Sequence, residues 1–553
     1  MSSKTNLKEM ISARYGENKR ISGEYDPSLA IRCVNGTFVG KTEGDVSAFL
    51  GIPFAQSPTG ERRWKRAKPV LPDDGVYEAY YNGKTPIQTE SETEPASYYH
   101  QGEDCLYLNI WRSGDCSDKN KAVMVFFHGG SYGWGGTADP LYYGGNFVSA
   151  HPEIVFVTVG YRTGILGFVD FSSVEGGEDF PDAPHLGLFD QIEALRWIRQ
   201  NIGGFSGDPD NVTIVGESAG GGSVSLLTII DEAKGLFRRV IAESGSVALT
   251  YSKEACGDFT RRLLKETGCG NMNELMALSE DDLKKINEKL NEYNNFPQRD
   301  GRVIPLDPYA PYDSGATSDV DLLIGTNENE CNYWIGELGG IIPYSLGFPV
   351  RYENDMRKLD PSDKKKVSRI ISGMKGRKIW RITEFYNEMM FRLPAVRQAE
   401  SHAKNGGRVH MYYWTQPSTI RNYGACHAVE LAYVFQNPQN TIFTGTPADP
   451  ALTKTVGDMW ANFARTGDPS VPGFEWPVYD EGQRETAIIG LSQHIEGDPM
   501  RSKREQLSSL LRYMINPSYA SLDFNVPFVR KGVALAAGIL ALVILAVVLL
   551  IIG

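Results

Sequence analysis

The sequence predicts an α/β fold, a mostly parallel central sheet with helices on both faces, followed by a single C-terminal transmembrane helix. Residues 123–127 and 154–159 are short continuous apolar runs, which are typical of strands buried within a parallel sheet. Residues 187–200 repeat apolar side chains at helical spacing, and a third apolar run follows at 212–215. This strand–helix–strand order favours parallel pairing. Residues 532–553 carry no charge, and at ~1.5 Å per residue a helix of that length spans a bilayer.

The chain divides into four predicted parts. Residues 1–30 are polar and mixed in charge, which predicts a flexible N-terminal arm. Residues 31–516 are predicted to form one large α/β domain, in which residues 331–405 mix helices with aromatic loops and are expected to cap a pocket. A short stalk at 517–531 then leads to the transmembrane helix at 532–553.

Charge excludes two classes of partner for the chain as a whole. The formal net charge is −12 over 553 residues. Such a balance argues against a nucleic-acid partner, because nucleic-acid-binding domains need a basic surface. It also argues against adhesion of a polybasic surface to anionic lipid.

The C-terminal segment is predicted to be a tail anchor that binds membrane lipid. The first residues contain no apolar signal sequence, and Arg530 and Lys531 flank the apolar segment as the positive-inside rule expects. A glycolipid-anchor signal would need an N-terminal signal peptide, and a core helix would not be so long and uniformly apolar. We therefore expect a single-pass protein of the endoplasmic reticulum or another organelle, with its domain in the cytosol.

A Gly-x-Ser-x-Gly motif at residues 216–220 follows the predicted strand 212–215 and precedes an apolar helix. Small residues on both sides let the chain turn sharply, which predicts that Ser218 is exposed as a nucleophile at a helix N-terminus. The motif recurs at residues 129–133, but loop residues follow it instead of a helix, so Ser131 is predicted to have another role. Such an elbow is typical of the α/β-hydrolase fold.

A serine nucleophile needs a base to take its proton and a carboxylate to orient that base. In the α/β-hydrolase fold both follow the serine along the chain. The histidines that do so are His402, His410, His427 and His494. His427 lies in a turn before an apolar run and is favoured, although order alone does not decide. Glu328 and Glu330 both follow the strand predicted at 320–325, where catalytic groups gather, so either could be the acid.

Several stretches of the chain resemble the type-B carboxylesterases, the family that includes the cholinesterases. They are Glu-Asp-Cys-Leu-Tyr-Leu-Asn at 103–109, His-Gly-Gly at 128–130, the elbow region at 205–220 and Trp-Ala-Asn-Phe-Ala-Arg-Thr-Gly-Asp-Pro at 460–469. The resemblance runs from about residue 31 to 479. It implies the α/β-hydrolase fold and ester chemistry without a metal or cofactor. The layout is similar to that of membrane-anchored carboxylesterase-like proteins of nematodes.

The resemblance also implies the members of the site. The acidic turn of the family matches residues 325–330, which makes Glu330 the acid, and its Gly-x-x-His motif makes His427 the base. The backbone N–H groups expected to form the oxyanion hole are those of Gly130, Ser131 and Ala219. The family usually has glycine where Ser131 stands, so the backbone is more restricted here. Glu217, before the nucleophile, is expected to support the triad.

The expected function is hydrolysis of a small-molecule carboxylic ester through an acyl-enzyme intermediate on Ser218. An alternative keeps the site and passes the acyl group to a sugar or alcohol hydroxyl instead of water. A remote alternative is an inactive adhesion protein resembling the neuroligins, which lose the nucleophile. The loop at 91–101 lacks the tryptophan with which cholinesterases bind choline, so acetylcholine is not an expected substrate.

Both disulfides of the family lack one partner here. The positions expected to pair with Cys105 and Cys269 fall near Ile87 and Leu278. We therefore expect both cysteines to be free thiols, which agrees with a domain in the reducing cytosol.

Overall fold

The computed structural model describes residues 3–88, 98–115, 117–290, 295–513 and residue 538. The predicted stalk at 517–531 lies outside these residues, and so does the predicted transmembrane helix at 532–553 apart from Gly538. Among the helices that the structure describes, none is long and apolar enough to span a membrane. The anchor therefore stays a prediction.

Strands form the centre of the domain. In chain order the described strands are β1 Ala30–Cys33, β2 Asn35–Val39, β3 Lys41–Glu43, β4 Val46–Pro53, β5 Asp73–Glu78, β6 Tyr107–Ser113, β7 Lys121–Phe127, β8 Ile154–Val159, β9 Gly207–Glu217, β10 Arg239–Glu243, β11 Tyr251–Ser252, β12 Gln298–Arg299, β13 Asp321–Asn327, β14 Val409–Trp414, β15 Glu485–Ile489 and β16 His494–Gly497. Eleven of them form one sheet in the order β16-β15-β14-β13-β10-β9-β7-β8-β6-β4-β3.

Helices surround this sheet. In chain order the described α-helices are α1 Ser3–Ser12, α2 Gly144–Ala150, α3 Gly164–Gly167, α4 Leu186–Asn201, α5 Ala219–Leu227, α6 Lys253–Thr267, α7 Met272–Met276, α8 Glu280–Leu290, α9 Ala310–Asp313, α10 Trp334–Glu337, α11 Ile341–Lys358, α12 Pro361–Gly373, α13 Lys378–Tyr386, α14 Leu393–Lys404, α15 Leu431–Val434, α16 Pro450–Thr466 and α17 Arg501–Leu507. A π-helical turn, Asn387–Arg392, joins α13 to α14.

The middle of the large sheet is parallel, as the sequence predicts. Every pair from β15 across to β8 is parallel, whereas β16 and the strands β6, β4 and β3 pair antiparallel at the two edges. The parallel strands β7, β8 and β10 are buried at every residue. Apolar side chains fill most of these strands because a parallel strand is covered on both faces, and the buried charged residues Lys121, Arg239 and Glu243 stand at strand ends.

Alternate side chains of β7 show how the two faces are covered. Val125 and Phe127 belong to a core shared with α4 and α5, whereas Met124 and Phe126 belong to a second core shared with α15 and α16. Side chains alternate along a strand, so one strand contributes to both cores. Full burial of an apolar side chain of this size stabilises the fold by about 1.5–3 kcal/mol.

The N-terminal arm, residues 1–30, differs from the flexible segment that the sequence predicts. Within α1, Ile11 is fully buried, and beyond the helix the ring of Tyr15 stacks on that of His100 at 4.3 Å. The Asn18 amide donates to the carbonyl of Leu50. These isolated apolar and amide groups give no periodic signal in the sequence, but each has a partner in the fold.

The predicted cap, residues 331–405, is a helical layer with a core of its own. Helices α11, α12 and α13 bury Tyr344, Val367 and Phe385 in one cluster. Leu507 and Tyr513, near the end of the described chain, lie in the same cluster. The cap is therefore covered by the segment that follows the last strand.

We expect Gly220→Ala to destabilise the protein by about 3 kcal/mol or more, because a Cβ there would overlap the carbonyl oxygen of Phe127 at the base of the elbow. Urea unfolding measures the change. Gly203→Ala is the matched control, since a Cβ at that position meets no atom within 4 Å. Equal stability of the two variants would contradict this packing.

Candidate active site

The predicted nucleophile stands at a sharp turn between strand and helix. β9 ends at Glu217 and α5 begins at Ala219, so Ser218 alone makes the turn, with φ 58° and ψ −120°. A non-glycine residue in such a conformation is strained by about 1–3 kcal/mol. Its N–H donates to the carbonyl of Glu243 and its carbonyl accepts from Gly222, both at 2.8 Å, which fixes the turn. Ser218 is partly exposed among buried neighbours.

The predicted acid and base are hydrogen-bonded to each other. Glu330 is fully buried in the loop after β13, and its Oε2 lies 2.6 Å from Nδ1 of His427. The other carboxylate oxygen accepts hydrogen bonds from the Ser244 hydroxyl at 2.6 Å and from the N–H of Asn327 at 2.7 Å. The hydrogen bond from Nδ1 to Glu330 holds the proton of His427 on that nitrogen and leaves Nε2 as the atom that can accept one.

The alternatives that sequence order left open lie elsewhere. Glu328 points towards Glu384 and Lys503. His402 contacts the carbonyl of Val320, and Nδ1 of His410 contacts the carbonyl of Pro477, so both rings have structural partners. His494 lies in the antiparallel edge strand β16. Of the candidates, the structure brings together Glu330 and His427.

Glu217 lies on the opposite side of the imidazole. Its Oε1 is 3.1 Å from Nε2 of His427, but the two atoms are not aligned as a hydrogen bond. Burial lowers the pKa of His427, whereas the charges of Glu217 and Glu330 raise it, and the carboxylates prevail. Burial raises the pKa of Glu217, against the attraction of the imidazolium. The charge of Glu217 therefore acts on the imidazole without a hydrogen bond to Nε2.

The glycine loop lies against the elbow. A Cβ placed on Gly129 would be 3.1 Å from the Cβ of Ser218, so the loop and the nucleophile are neighbours. Gly130 and Ser131 have φ of 105° and 51°, and their N–H groups donate to no other described residue. Ala219 is the first residue of α5, where the helix leaves the N–H unused. All three predicted oxyanion donors are available, and Ser131 is held in a conformation that favours glycine.

The structure also buries two carboxylates behind Glu330 and His427 that the sequence analysis did not predict. Glu243 accepts a hydrogen bond from the indole of Trp460 at 2.6 Å, and Glu430 accepts one from the amide of Asn327 at 2.5 Å. Burial raises the pKa of Glu243 to about 8 and that of Glu430 well above its usual range. One signal was present in the sequence, because Glu243 ends the strand that follows the elbow. In the sheet it is the register partner of Glu217.

Aromatic rings enclose the imidazole. The ring centroids of Tyr333, Trp334 and Phe391 lie 5.8, 6.1 and 4.9 Å from that of His427. Trp334 is close to parallel with the imidazole, at 24°. All three come from the predicted cap and replace water around the base. A site of low polarity strengthens the interactions of the charged groups inside it.

Comparison with known proteins identifies the family. The profile of the carboxylesterase family matches residues 26–508. The chain belongs to the carboxylesterase family. A para-nitrobenzyl esterase of Bacillus subtilis is 34% identical over 491 residues, which cover 85% of this chain and 97% of that protein. Carboxylesterase 5A of Felis catus is 30% identical over 79% of this chain and 85% of its own length.

Solved structures of the family show the same fold. A crystal structure of a Geobacillus stearothermophilus carboxylesterase superposes with a TM-score of 0.78 at 30% identity. The match covers 86% of this chain and 99% of that one. The α/β-hydrolase fold expected from the elbow and from the family resemblance is confirmed.

We expect Glu217→Gln to move the acidic limb of the kcat/KM–pH profile to lower pH. The raised pKa of His427 makes activity fall as pH drops through it, and removing one of the two carboxylates lowers that pKa. The profile is measured with a soluble aryl ester. Glu328→Gln serves as the control, because the charges that act on Glu328 are those of Glu384 and Lys503. An unmoved limb in Glu217→Gln would show that Glu217 does not set the charge of the base.

Proposed function

We propose that this chain hydrolyses carboxylic esters through an acyl-enzyme intermediate on Ser218. The observation that carries the proposal is the buried 2.6 Å hydrogen bond between Glu330 and His427 beside a strained serine turn. Membership of the carboxylesterase family supports the same chemistry. No metal or cofactor enters the reaction.

The first half of the reaction forms the acyl-enzyme. Nε2 of His427 takes the proton of Ser218 as its hydroxyl attacks the ester carbonyl, and Glu330 stabilises the imidazolium that forms. The backbone N–H groups that bind the oxyanion are those of Gly130, Ser131 and Ala219. Each such donor contributes about 10²–10³ in rate. His427 then gives the proton to the leaving alcohol.

The second half returns the free enzyme. Water donates a proton to His427 and attacks the acyl group. His427 then returns that proton to the oxygen of Ser218 as the tetrahedral intermediate collapses and releases the acid. A sugar or alcohol hydroxyl can take the place of water by the same steps, which would make the protein an acyltransferase. The aromatic surroundings of His427 suit an apolar ester, and the name of the para-nitrobenzyl esterase suggests an aryl or benzyl ester as probe.

The triad is tested with Ser218→Ala, His427→Ala and Glu330→Gln. We expect each to lower kcat for a soluble aryl ester by about 10⁴ or more, and the double variants to be little worse, because the three residues act as a unit. Ser131→Ala is the control and should keep most of the activity, since its N–H is retained. Loss of activity in Ser131→Ala together with retention in Ser218→Ala would overturn the choice of nucleophile.

Product analysis with an added sugar or alcohol separates hydrolysis from transfer. Free acid as the main product supports the esterase. Accumulation of the acylated acceptor in its place would favour the acyltransferase at the same site.

We further propose that residues 532–553 anchor the protein in a membrane, with the domain on the cytosolic side. The segment is free of charge over 22 residues and follows Arg530 and Lys531. All six cysteines that the structure describes are free thiols, including Cys105 and Cys269, as predicted. Unpaired buried cysteines fit a reducing compartment.

Deletion of residues 530–553 should release an active protein from the membrane, because the described domain ends before them. Carbonate extraction and ester hydrolysis measure the two properties. In intact microsomes, added protease should digest the domain of the full chain. Protection that is lost only with detergent would place the domain in the lumen and refute the topology.

A further inference from the structure

Positive charge is concentrated on the cap of an otherwise acidic protein. Residues 341–381 contain eleven basic and four acidic residues, a formal charge of +7, whereas the whole chain carries −12. The exposed basic residues are Arg357, Lys358, Lys364, Lys365, Arg369, Lys375, Arg377 and Lys378. They lie on α11, on α12, in the connection between α12 and α13, and at the start of α13. The net charge of the chain therefore conceals a basic surface.

The acidic residues of this segment are already engaged. Asp355 pairs with Arg351 at 3.3 Å and with Lys358 at 3.5 Å. Asp360 and Asp363 both pair with Arg512, from the C-terminal segment. The carboxylates of Asp355, Asp360 and Asp363 are therefore paired with Arg351, Lys358 and Arg512.

Most of the exposed basic side chains keep their charge uncompensated. Lys364, Lys365, Arg369, Lys375 and Arg377 pair with no carboxylate among the described residues. Their charge is therefore available to an external partner.

Two exposed apolar side chains belong to the same surface. Ile342 is 72% exposed and Leu346 is 38% exposed, one turn apart on α11. At 3.6 residues per turn, Glu353 and Arg357 lie on that face of the helix. Glu353 is 3.7 Å from Lys378, which joins the face of α11 to the start of α13. We call the exposed residues of 341–381 the cap face.

The cap face lies close to the triad and to the end of the described chain. Three residues separate α11 from α10, whose Trp334 stacks on His427. Tyr513 packs in the cluster formed by α11, α12 and α13. Eighteen residues then lead to the charge-free segment 532–553. An extended chain of that length reaches about 60 Å, so the anchor and the cap face can meet one membrane.

We propose that the cap face docks on an anionic lipid surface. Charge complementarity identifies the partner, because an anionic leaflet attracts Lys and Arg side chains near its surface, while Ile342 and Leu346 can enter the headgroup boundary. Docking places the cap, whose inner side supplies the rings around His427, at the surface of a membrane in which ester substrates dissolve. This consequence for substrates rests on the proposed esterase activity, whereas the docking itself does not.

Amine-reactive footprinting of the full chain tests the docking directly. The protein is reconstituted in vesicles of phosphatidylcholine alone and of phosphatidylcholine with phosphatidylserine, and labelling of each lysine is read by mass spectrometry. In the anionic vesicles we expect labelling of Lys364, Lys365 and Lys375 to fall about threefold or more, and added salt to restore it. The controls, Lys119 and Lys285, are exposed residues outside the cap and should label equally in both. Equal labelling of the cap lysines in the two vesicles would overturn the proposal.

Charge reversal separates docking from catalysis. Lys364→Glu/Lys365→Glu/Lys375→Glu should reduce hydrolysis of a long-chain ester dissolved in the anionic vesicles to the rate in neutral vesicles. The control is Lys119→Glu/Lys285→Glu, which changes the formal charge by −4 against −6 for the triple variant, and it should retain the full rate. Both variants should hydrolyse a soluble aryl ester normally. If the wild type does not hydrolyse the soluble aryl ester, the proposed function is refuted and the docking is not. If the two variants hydrolyse the ester in anionic vesicles at equal rates, the docking is refuted and the proposed function is not.

Discussion

The hydrogen bond between Glu330 and Nδ1 of His427 is the interaction on which the site depends. It joins the loop after β13 to the loop after β14, two neighbouring parallel strands. A buried carboxylate is costly unless it is paired and hydrogen-bonded, so the donors Ser244 and Asn327 are needed as much as the histidine. With Nδ1 occupied, only Nε2 can accept a proton. The positions of the two loops therefore determine which nitrogen of His427 can act as the base.

The parallel register collects several carboxylates at one edge of the sheet. Glu217 and Glu243 are register partners, and Glu243 in turn faces Gly325 of β13. Burial raises the pKa of Glu217 and of Glu243, so the cluster does not hold a full set of like charges. Glu330 differs from these two in accepting three hydrogen bonds, from His427, Ser244 and Asn327. Local hydrogen bonding, and not position along the sheet, therefore selects the acid.

An element of the fold could be predicted from the sequence where a single physical rule determines it. Fully buried strands are apolar throughout, and the elbow needs small residues, so the sheet and the turn at Ser218 could be predicted. Glu328 and Glu330 follow the same strand, and only the path of the loop decides which one meets His427. Ser244 gave no signal, because a single serine after a strand is common. The sequence analysis missed the basic cap face because the net charge of the chain sums acidic and basic residues that lie on different parts of the surface.

The cap connects the inside of the site with the outside of the protein. Its inner side supplies Trp334 and Phe391 to the imidazole, and its outer side carries the basic residues of α11–α13. Arg512 ties the C-terminal segment to Asp360, at the N-terminus of α12. About 10 Å, the thickness of one helix, separates the exposed and buried faces of α11. A contact on the outer face of the cap is therefore separated by the diameter of one helix from the buried cluster that packs behind the rings around His427.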